Sequence, residues 1–344
     1  MESLDRLNTK PKIKILVAGA GSIGRRHIKN LIKLGVDVSV WRKRSDLARQ
    51  LEREFAITVF ADLDEAIALT DAVVVATATD DHLFVINKAV NIGKPMFIEK
   101  PIAQSMDGLE EAGFTIKRKK LVVEVGFQLR KHPNLIALSE LLSKEVEGPV
   151  YTFRAAVGHR LDKWRPSVDY RSGYSADATR GGGALMDLVH ELDLVQWQIG
   201  DISRVTGSLA KLSDQQIKGD DLTNLTVECV NGPIGQVQMD MLSPIYRRNF
   251  EVVCRDAIYK WDYVLGTLSK SVKDDWVVIH RVKNNFVRND MFMEHMKHFL
   301  SRLSDDTIPA LCEFDKGVRV LRAALTAKRS SDSWGAIVSE AGIV

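Results

Sequence analysis

A glycine-rich loop at residues 19–24, with the sequence GAGSIG, constrains this chain more than any other feature. The loop follows an apolar run and precedes an amphipathic stretch that ends at a glycine, so a strand–turn–helix unit is expected there. Glycines at these spacings allow a tight turn, close approach of the backbone to a pyrophosphate, and close packing of helix on strand. The phosphates then meet the positive end of the helix. The loop predicts dinucleotide binding through Gly19, Gly21, Ser22, Ile23 and Gly24. The alternative is a glycine-rich turn without a ligand.

The two halves of the chain follow different patterns. After a polar tail at residues 1–11, near-continuous apolar strands alternate with helices, which is typical of a parallel sheet covered on both faces. These strands are expected at 13–18, 36–41, 72–77, 96–98 and 121–125. Beyond residue 148 consecutive strands favour a mostly antiparallel sheet. They are expected at 150–157, 205–212, 222–230, 235–241, 250–254, 257–263 and 276–282. The sequence therefore predicts an α/β domain at 12–131 and an α+β domain at 132–344.

Three helices are expected within the second half. One is a core helix at 184–199, and the other two are closing helices at 289–303 and 314–328. The closing helices show no ligand-like pattern, so they are expected to act as packing elements that can reach back onto the first domain.

Composition argues against several classes of partner. A net charge of +3 with scattered Lys and Arg is too small to indicate nucleic-acid binding or an anionic membrane surface. No apolar run reaches the roughly 18 residues of a membrane span and no signal peptide is visible, so a cytoplasmic location is expected. The three cysteines lie far apart without a Cys/His cluster, so neither a disulfide framework nor a metal site is expected.

The end of the second strand bears on the choice of cofactor. About 20 positions after the glycine loop an acidic residue normally holds the ribose 2′-hydroxyl of NAD, but here the sequence is Trp41, Arg42, Lys43 and Arg44. Guanidinium groups match phosphate oxygens in paired geometry, so Arg42 or Arg44 can clamp the 2′-phosphate of NADP while Trp41 or Arg42 lines the adenine. NADP is therefore expected as the preferred cofactor and NAD as the alternative. A solvated turn is the other interpretation of these cations.

Two later motifs complete the candidate site. Glu99, Lys100 and Pro101 follow a strand of the first half, and the sequence GGGALMDLVHELD at 181–193 opens the core helix. With GAGSIG, these motifs make almost the whole chain resemble the Gfo/Idh/MocA oxidoreductase family. The resemblance implies an N-terminal Rossmann domain, a C-terminal domain with a large open sheet, and oxidation or reduction of sugars, polyols and their derivatives with NAD(P). It also implies a homodimer or homotetramer formed through the open sheet face, since exposed apolar area needs a partner.

The resemblance also implies roles for individual residues. Lys100 is expected beside nicotinamide and substrate, with Asp187 and His190 facing both from the second domain. The loop at 76–82 and the segment at 126–130 match family segments near the nicotinamide ribose and between the domains. Cofactor contacts are therefore expected from Thr77, Thr79, His82, Glu99, Lys100 and Gln128. A substrate contact is expected from Arg130.

These residue types suit hydride transfer. His190, with an ordinary pKa of about 6.5, can accept a hydroxyl proton near neutrality, and Asp187 is expected to orient it. A cation at Lys100 stabilises developing alkoxide charge or holds a carbonyl oxygen, while Glu99 positions the lysine. Each motif alone also has a structural interpretation, a Lys-Pro turn or a buried helix cap.

The spacing of the Asp–His pair departs from the family pattern. The family places the histidine four positions after the aspartate, whereas Asp187 and His190 are three apart. Either spacing keeps both side chains on one face of an ideal helix, but one of them rotates by about 100°. A reorganised pair is therefore expected, with Glu191 as a competing partner for His190 and Asp193 at its usual distance.

The segment from Arg154 to Arg180 is expected to cross the mouth of the site. Its cations are interleaved with aromatic residues, and they are Arg154, Arg160, Lys163, Arg165, Arg171 and Arg180. Aromatic rings stack on sugars and guanidinium groups grip anions, so substrate contacts are expected from Trp164, Arg165 and Tyr174. A solvated loop is the alternative.

The expected function is hydride transfer between nicotinamide and a secondary hydroxyl of a sugar, sugar acid, polyol or nucleotide sugar. Two rival functions remain: a glycosidase-type relative that retains NAD, and a catalytically silent regulator that binds the cofactor and a protein.

Overall fold

The computed structural model describes residues 12–43, 47–164, 166, 168–230, 232–333, 338–339 and 342–343. The predicted tail at 1–11 and two predicted site residues, Arg44 and Arg165, lie outside this part of the chain.

Six strands and five helices alternate in the described part of the first half. The strands are β1 (Lys14–Ala18), β2 (Asp37–Trp41), β3 (Thr58–Phe60), β4 (Ala72–Val75), β5 (Met96–Ile98) and β6 (Val123–Val125). The helices are α1 (Ser22–Lys33), α2 (Ala48–Phe55), α3 (Leu63–Ala68), α4 (His82–Asn91) and α5 (Leu109–Lys119). Every pairing is parallel, in the order β3-β2-β1-β4-β5-β6. The strand order reverses between β1 and β4, so the crevice for a ligand lies there, at the carboxyl ends of the strands.

Burial of both sheet faces explains the apolar strands of this half. The strand residues of β4 are all buried, as are the last four of β1, because helices cover the sheet on both sides. The sequence analysis did not identify β3, α3 or α5. β3 is three residues long and only partly buried, so it carries too little of an apolar pattern to be recognised.

A ten-stranded sheet organises the second half. Its strands are β7 (Val150–Gly158), β8 (Ile202–Ala210), β9 (Leu222–Cys229), β10 (Ile234–Asp240), β11 (Arg247–Cys254), β12 (Ile258–Asp262), β13 (Thr267–Val272), β14 (Asp275–Arg281), β15 (Val338–Ser339) and β16 (Gly342–Ile343). The order is β14-β13-β12-β11-β7-β10-β9-β8-β15-β16, and only β7 and β10 pair in parallel among these described strands. The predicted combination of a parallel sheet followed by a large, mostly antiparallel one is confirmed.

Six described helices and several 3₁₀ turns accompany this sheet. The helices are α6 (Pro133–Ser143), α7 (Leu161–Trp164), α8 (Ala184–Asp187), α9 (His190–Gln198), α10 (Arg288–Ser304) and α11 (Phe314–Asp332). The 3₁₀ turns of the chain include Thr79–Asp81, Gln128–Lys131, Tyr170–Ser172, Tyr174–Ala176 and Ala178–Arg180. Within the described residues, no helix combines the length and the apolar character needed to cross a membrane.

The continuous core helix expected at 184–199 is wrong. The chain forms α8, leaves the helix at Leu188 and Val189, and resumes as α9. At the break the amide of Glu191 donates to the carbonyl of Leu188 at 3.3 Å instead of reaching back to Asp187. The carbonyl of Asp187 therefore loses its helical partner and is free to accept another donor.

The closing helix α10 packs against the first half of the chain. Its residues Met296 and Phe299 belong to the same buried cluster as β1, β2 and α1, and the rings of Phe299 and Phe97 lie 5.7 Å apart. The N-terminal end of α10 lies beside α1, where Arg26 donates to Asn289 Oδ1 at 2.9 Å.

Candidate active site

A cavity of about 570 Å³ lies at the carboxyl edge of the parallel sheet. Loops that follow four different strands supply its first wall, because the carboxyl ends of parallel strands meet at one edge. The predicted site residues that line it are Ser22, Ile23, Thr77, Thr79, His82, Glu99, Lys100, Gln128, Trp164, Tyr174, Asp187 and His190. The structure thus brings Lys100 and His190, from opposite halves of the chain, into one cavity.

The glycine loop has the geometry that a dinucleotide needs. Gly19 has a φ of +104°, and a Cβ there would lie 2.5 Å from the carbonyl oxygen of Ala76. The space in front of Gly21 is open, with nothing within 4 Å of the position that a Cβ would take. No side chain caps the start of α1, so its first amides are available to a phosphate. These features fit a bound pyrophosphate.

Buried polar atoms without protein partners also face the cavity. Among the described residues, Thr77 Oγ1, Gln128 Oε1, Asp187 Oδ2 and His190 Nδ1 are buried and make no hydrogen bond. Buried polar groups in folded proteins are almost always paired. These four atoms around one cavity are therefore in the arrangement expected where a polar ligand supplies the missing partners.

The amine of Lys100 is held by Asp187. Lys100 Nζ lies 2.5 Å from the carbonyl oxygen of Asp187 and 3.3 Å from its Oδ1, and its side chain is only 13% exposed. The hydroxyl of Tyr174 donates to the same Oδ1 at 3.0 Å. The helix break after α8 makes the backbone contact possible, since it frees the carbonyl that Lys100 uses.

Glu99 contacts both His27 and the backbone of Lys100. Its Oε1 lies 2.6 Å from His27 Nε2, and its Oε2 accepts the amide of Lys100 at 3.3 Å. Burial alone would raise the pKa of Glu99, but the hydrogen bond and charge of His27, with the charge of Lys100, lower it below its ordinary value. Glu99 is therefore an ionised carboxylate that fixes the backbone of Lys100.

His190 begins α9 and is buried. Its Nε2 lies 3.1 Å from the amide nitrogen of Gln128, and its ring packs edge-on against Phe127. Burial, followed by the positive charges of Lys100, Arg248 and Arg288, lowers its pKa well below the ordinary 6.5. His190 is therefore neutral at neutral pH, which is the form that accepts a proton.

The expected orientation of His190 by Asp187 is wrong. Asp187 uses Oδ1 for Lys100 and Tyr174, and neither its Oδ2 nor His190 Nδ1 has a hydrogen bond within the described chain. Glu191 does not replace Asp187, because both of its oxygens pair with Arg248 at 2.8 and 3.1 Å. Gln128 is the side chain that contacts the imidazole.

Arg130 is not a substrate residue in this structure. It is 8% exposed, and its guanidinium binds both oxygens of Asp193 at 2.7 to 3.2 Å and the carbonyl of Leu311 at 2.5 Å. It does not line the cavity. The ion pair between Arg130 and Asp193 joins the segment at 126–130 to α9, so Arg130 connects two elements of the fold.

The residues at the end of β2 lie outside the cavity. Trp41 is 7% exposed and its ring lies 6.5 Å from Phe84. Lys43 donates to Asp81 Oδ1 at 2.9 Å, and Arg42 is half-buried beside it. The sequence shows no carboxylate at the end of β2, but the loop after β4 brings Asp81 to the same place.

The mouth segment contributes aromatic rings to the cavity, and three of its arginines form ion pairs within the protein. Arg160, Arg171 and Arg180 form ion pairs with Asp162, Asp169 and Asp80, respectively. Trp164 lines the cavity, and its indole N–H donates to the carbonyl of His159 at 2.9 Å.

Several cavity residues were missed by the sequence analysis. They are Arg26, Val157, His159, Leu188, Tyr246, Arg248, Tyr263, Arg288 and Phe292. Arg288 and Phe292 belong to α10, so the expectation that the closing helices only pack is wrong for this helix. One available signal was the alternation of β11, which turns Arg248 inward where an apolar residue is expected.

The comparisons with known proteins agree with this architecture. Residues 13–127 match the model of the oxidoreductase family with an NAD-binding Rossmann fold, GFO_IDH_MocA, and residues 135–260 match the model of the GFO/IDH/MocA C-terminal domain. The chain therefore belongs to the Gfo/Idh/MocA family, as its motifs predicted. It is an NAD(P)-dependent oxidoreductase of the class that acts on CH–OH groups.

Similar curated proteins are sugar and polyol dehydrogenases. An inositol 2-dehydrogenase/D-chiro-inositol 3-dehydrogenase of Shouchella clausii is 32% identical over 198 residues, which cover 55% of this chain and 54% of that protein. A UDP-N-acetylglucosamine 3-dehydrogenase of Acidithiobacillus ferrooxidans is 24% identical over 90% of this chain and 94% of its own length.

Solved structures show the same fold. A structure of the Acidithiobacillus ferrooxidans enzyme superposes with a TM-score of 0.78 at 20% identity, covering 94% of this chain and 99% of that one. A levoglucosan dehydrogenase in complex with NADH superposes with a TM-score of 0.85 at 17% identity, covering 97% of this chain and all of that one.

Proposed function

We propose that this enzyme oxidises a secondary hydroxyl of a sugar or polyol, or reduces the corresponding carbonyl, with His190 as the acid/base and Lys100 as the group that binds the reacting oxygen. The observation that supports this most directly is the meeting of Lys100, Asp187 and His190 in one cavity beside the glycine loop. The names of similar dehydrogenases point to the same substrate class.

The roles follow from the charge states and positions of the two groups. Neutral His190 takes the hydroxyl proton as the C–O single bond becomes a carbonyl. Lys100, fixed by Asp187 and Glu99, stabilises the negative charge that develops on that oxygen. The bound nicotinamide supplies the hydride acceptor in oxidation and the hydride donor in reduction. In reduction, His190 gives the proton back.

Turnover in a sugar screen tests this proposal. Sugars, sugar acids, nucleotide sugars and polyols are assayed by reduced-nicotinamide absorbance with both cofactors. We expect turnover that Lys100→Met abolishes, while Lys29→Met, a matched change on the exposed side of α1, leaves it intact. Glycoside cleavage without net change in reduced nicotinamide would favour the NAD-retaining alternative. Cofactor binding without any turnover would favour a silent regulator.

We propose NADP as the preferred form of the cofactor. The proposal is supported by the cations that follow β2, of which Arg42 and Lys43 lie at its carboxyl end, where no acidic residue follows in the sequence. Lys43 is already paired with Asp81, and the predicted clamp for the 2′-phosphate is Arg42 or Arg44. Arg42→Ala should weaken NADP binding by about tenfold or more relative to NAD. A wild-type preference for NAD would contradict the proposal.

We also propose that the protein is a homo-oligomer through its second sheet. Exposed apolar side chains concentrate on edge strand β14 of that sheet, where Trp276, Val277, Val278 and Ile279 are 41–47% exposed. Edge strands of this kind pair readily with another chain. Light scattering should show a dimer or tetramer, and Val278→Lys should weaken it. A monomeric wild type would refute the proposal.

A further inference from the structure

The part of the cavity wall that the second half of the chain supplies is rich in hydrogen-bond donors. Arg248 belongs to β11, Tyr246 precedes that strand, Tyr263 follows β12, and Arg288 begins α10. The backbone amide of Tyr263 donates to the carbonyl of Arg248 at 3.0 Å, and the rings of Tyr246 and Tyr263 meet edge to face at 5.6 Å. These contacts join Arg248 to the two tyrosines, and Arg288 lines the same cavity; we call the four residues the cationic wall.

Arg248 is fixed in place and still has a free donor. It is 7% exposed, and its Nε and Nη2 bind the two oxygens of buried Glu191. Its Nη1 makes no hydrogen bond to any described residue. A bidentate pair of this kind fixes the plane of the guanidinium, so Nη1 points in a defined direction at the cavity.

Arg288 and the two tyrosines offer further donors. Within the described chain, the guanidinium of Arg288 has no hydrogen bond or ion pair, and the hydroxyls of Tyr246 and Tyr263 have none either. The two carboxylates of the cavity, Glu99 and Asp187, are already engaged with His27 and Lys100. Glu191 balances the charge of Arg248, so among the described residues Arg288 is the cation of the cationic wall that has no anion beside it.

We propose that the cationic wall binds a carboxylate carried by the sugar ring itself, so that the substrate is a sugar acid. This inference rests on the proposed hydride transfer, since it names the substrate of the same cavity. A planar carboxylate matches the fork of a guanidinium and the hydroxyl donors beside it. Arg248 lines the same cavity as His190 and pairs with Glu191, the residue that follows His190 in the chain, so an anion held by Arg248 would lie near the reacting carbon. A diphosphate attached through a long linkage would lie farther away.

Matched pairs of sugars test the proposal. The probes are D-glucuronate with D-glucose, D-galacturonate with D-galactose, and UDP-glucuronate with UDP-glucose. Binding to the enzyme saturated with oxidised cofactor is measured by calorimetry, and turnover by absorbance. We expect an acid to bind at least about tenfold more tightly than its neutral partner, the effect of one charge-assisted contact of about 1.4 kcal/mol. Arg288→Gln should bring the ratio close to one. Arg118→Gln, an exposed arginine on α5, should keep the wild-type ratio.

Other results would overturn the inference. If no acid binds, or neutral sugars bind as well as acids, the cationic wall is not a carboxylate site. If UDP-glucose binds as tightly as UDP-glucuronate and both exceed the free acids, the diphosphate is the recognised anion. If Arg288→Gln lowers cofactor affinity and leaves the acid preference unchanged, the wall serves the cofactor.

The same data separate this inference from the proposed function. Oxidation of neutral sugars without binding of acids would refute the carboxylate site and leave hydride transfer standing. Acid binding that depends on Arg288, with no turnover of any sugar in either direction, would refute hydride transfer and leave the carboxylate site standing.

Discussion

Replacement of His190 by asparagine should reduce turnover by a factor of about 10² to 10⁴, because proton transfer by a positioned side chain contributes that much. This corresponds to roughly 3 to 5 kcal/mol of transition-state stabilisation. An asparagine fits the space of the imidazole and can keep a hydrogen bond to Gln128, so the fold and the affinity for cofactor should be retained. Initial rates are followed by reduced-nicotinamide absorbance, and cofactor affinity by fluorescence titration.

The pH dependence gives a second, independent readout. Because burial and nearby cations lower the pKa of His190, the base form persists below the ordinary 6.5, and the oxidation rate should fall only at lower pH. Reduction needs the protonated form, so its rate should increase as the pH falls. His190→Asn should lose both dependences.

A control substitution far from the cavity, and one contrary result, complete the test. His298→Asn makes the same chemical change at a partly exposed position bonded to the carbonyl of Pro309, and it should leave the rate unchanged. If His190→Asn stays within about threefold of wild type while Lys100→Met abolishes turnover, then His190 is not the acid/base and the role passes to Lys100.

Three further predictions concern the loop and the core. Gly19→Ala should weaken cofactor binding by at least about tenfold, since it places a Cβ at positive φ against the carbonyl of Ala76; an unchanged titration would contradict this. Arg130→Met should lower the free energy of unfolding by about 3 to 5 kcal/mol, because Asp193 is left buried without its partner; unchanged stability with a raised KM would restore the predicted substrate role. Burial, followed by the charges of Arg248 and His280, lowers the pKa of His132 to about 3. The contribution of His132 to the free energy of unfolding is therefore complete above pH 6.5, the pKa of histidine in the unfolded chain. As the pH falls from 6.5 to 3, this contribution falls by about 1.4 kcal/mol per pH unit. His132→Phe should make the free energy of unfolding less dependent on pH in this range. If chemical denaturation gives the same pH dependence for wild type and His132→Phe, the prediction is wrong.

The sequence could predict those parts of the fold whose cause is local. The apolar strands β1 and β4 are buried on both faces, and that burial is visible as an unbroken run of aliphatic residues. The glycine loop is likewise local, since the turn and the close approach to Ala76 require glycine itself at position 19. The positions of Lys100 and Gln128 were implied by the family resemblance, and the rule that loops at one edge of a parallel sheet meet explains why they line one cavity.

The helix break could not be predicted from the local pattern. Residues 184–199 contain no glycine or proline and are suited to a continuous helix, and the shortened spacing of Asp187 and His190 indicated only that the pair was rearranged. The structure gives the physical consequence: the carbonyl of Asp187 is released from the helix and binds the amine of Lys100. The competition between an intrahelical hydrogen bond and one to a lysine from another domain depends on tertiary structure.

The charged residues of the cavity could not be predicted from the sequence either, because their partners are distant in the chain. The number of arginines in the mouth segment predicted an anion site, but Arg160 and Arg171 are neutralised by the neighbouring Asp162 and Asp169. Arg248 and Arg288 are far apart in the sequence, and only the packing of β11 and α10 brings them to one cavity. A charged residue at an inward position of an alternating strand was the one local indication, and Glu191, buried on α9, was its counterpart.

The same cations affect both binding and catalysis. Burial first, and then the charges of Lys100, Arg248 and Arg288, lower the pKa of His190, so the imidazole is a weaker base in the free enzyme. A carboxylate bound to the cationic wall would offset those charges and raise the pKa of His190 toward its ordinary value, which strengthens the base when the acid sugar is in place. A neutral sugar would leave the imidazole weak. The same cations would then bind the carboxylate and control the basicity of His190. The preference for acid sugars over neutral sugars would therefore appear in kcat as well as in KM.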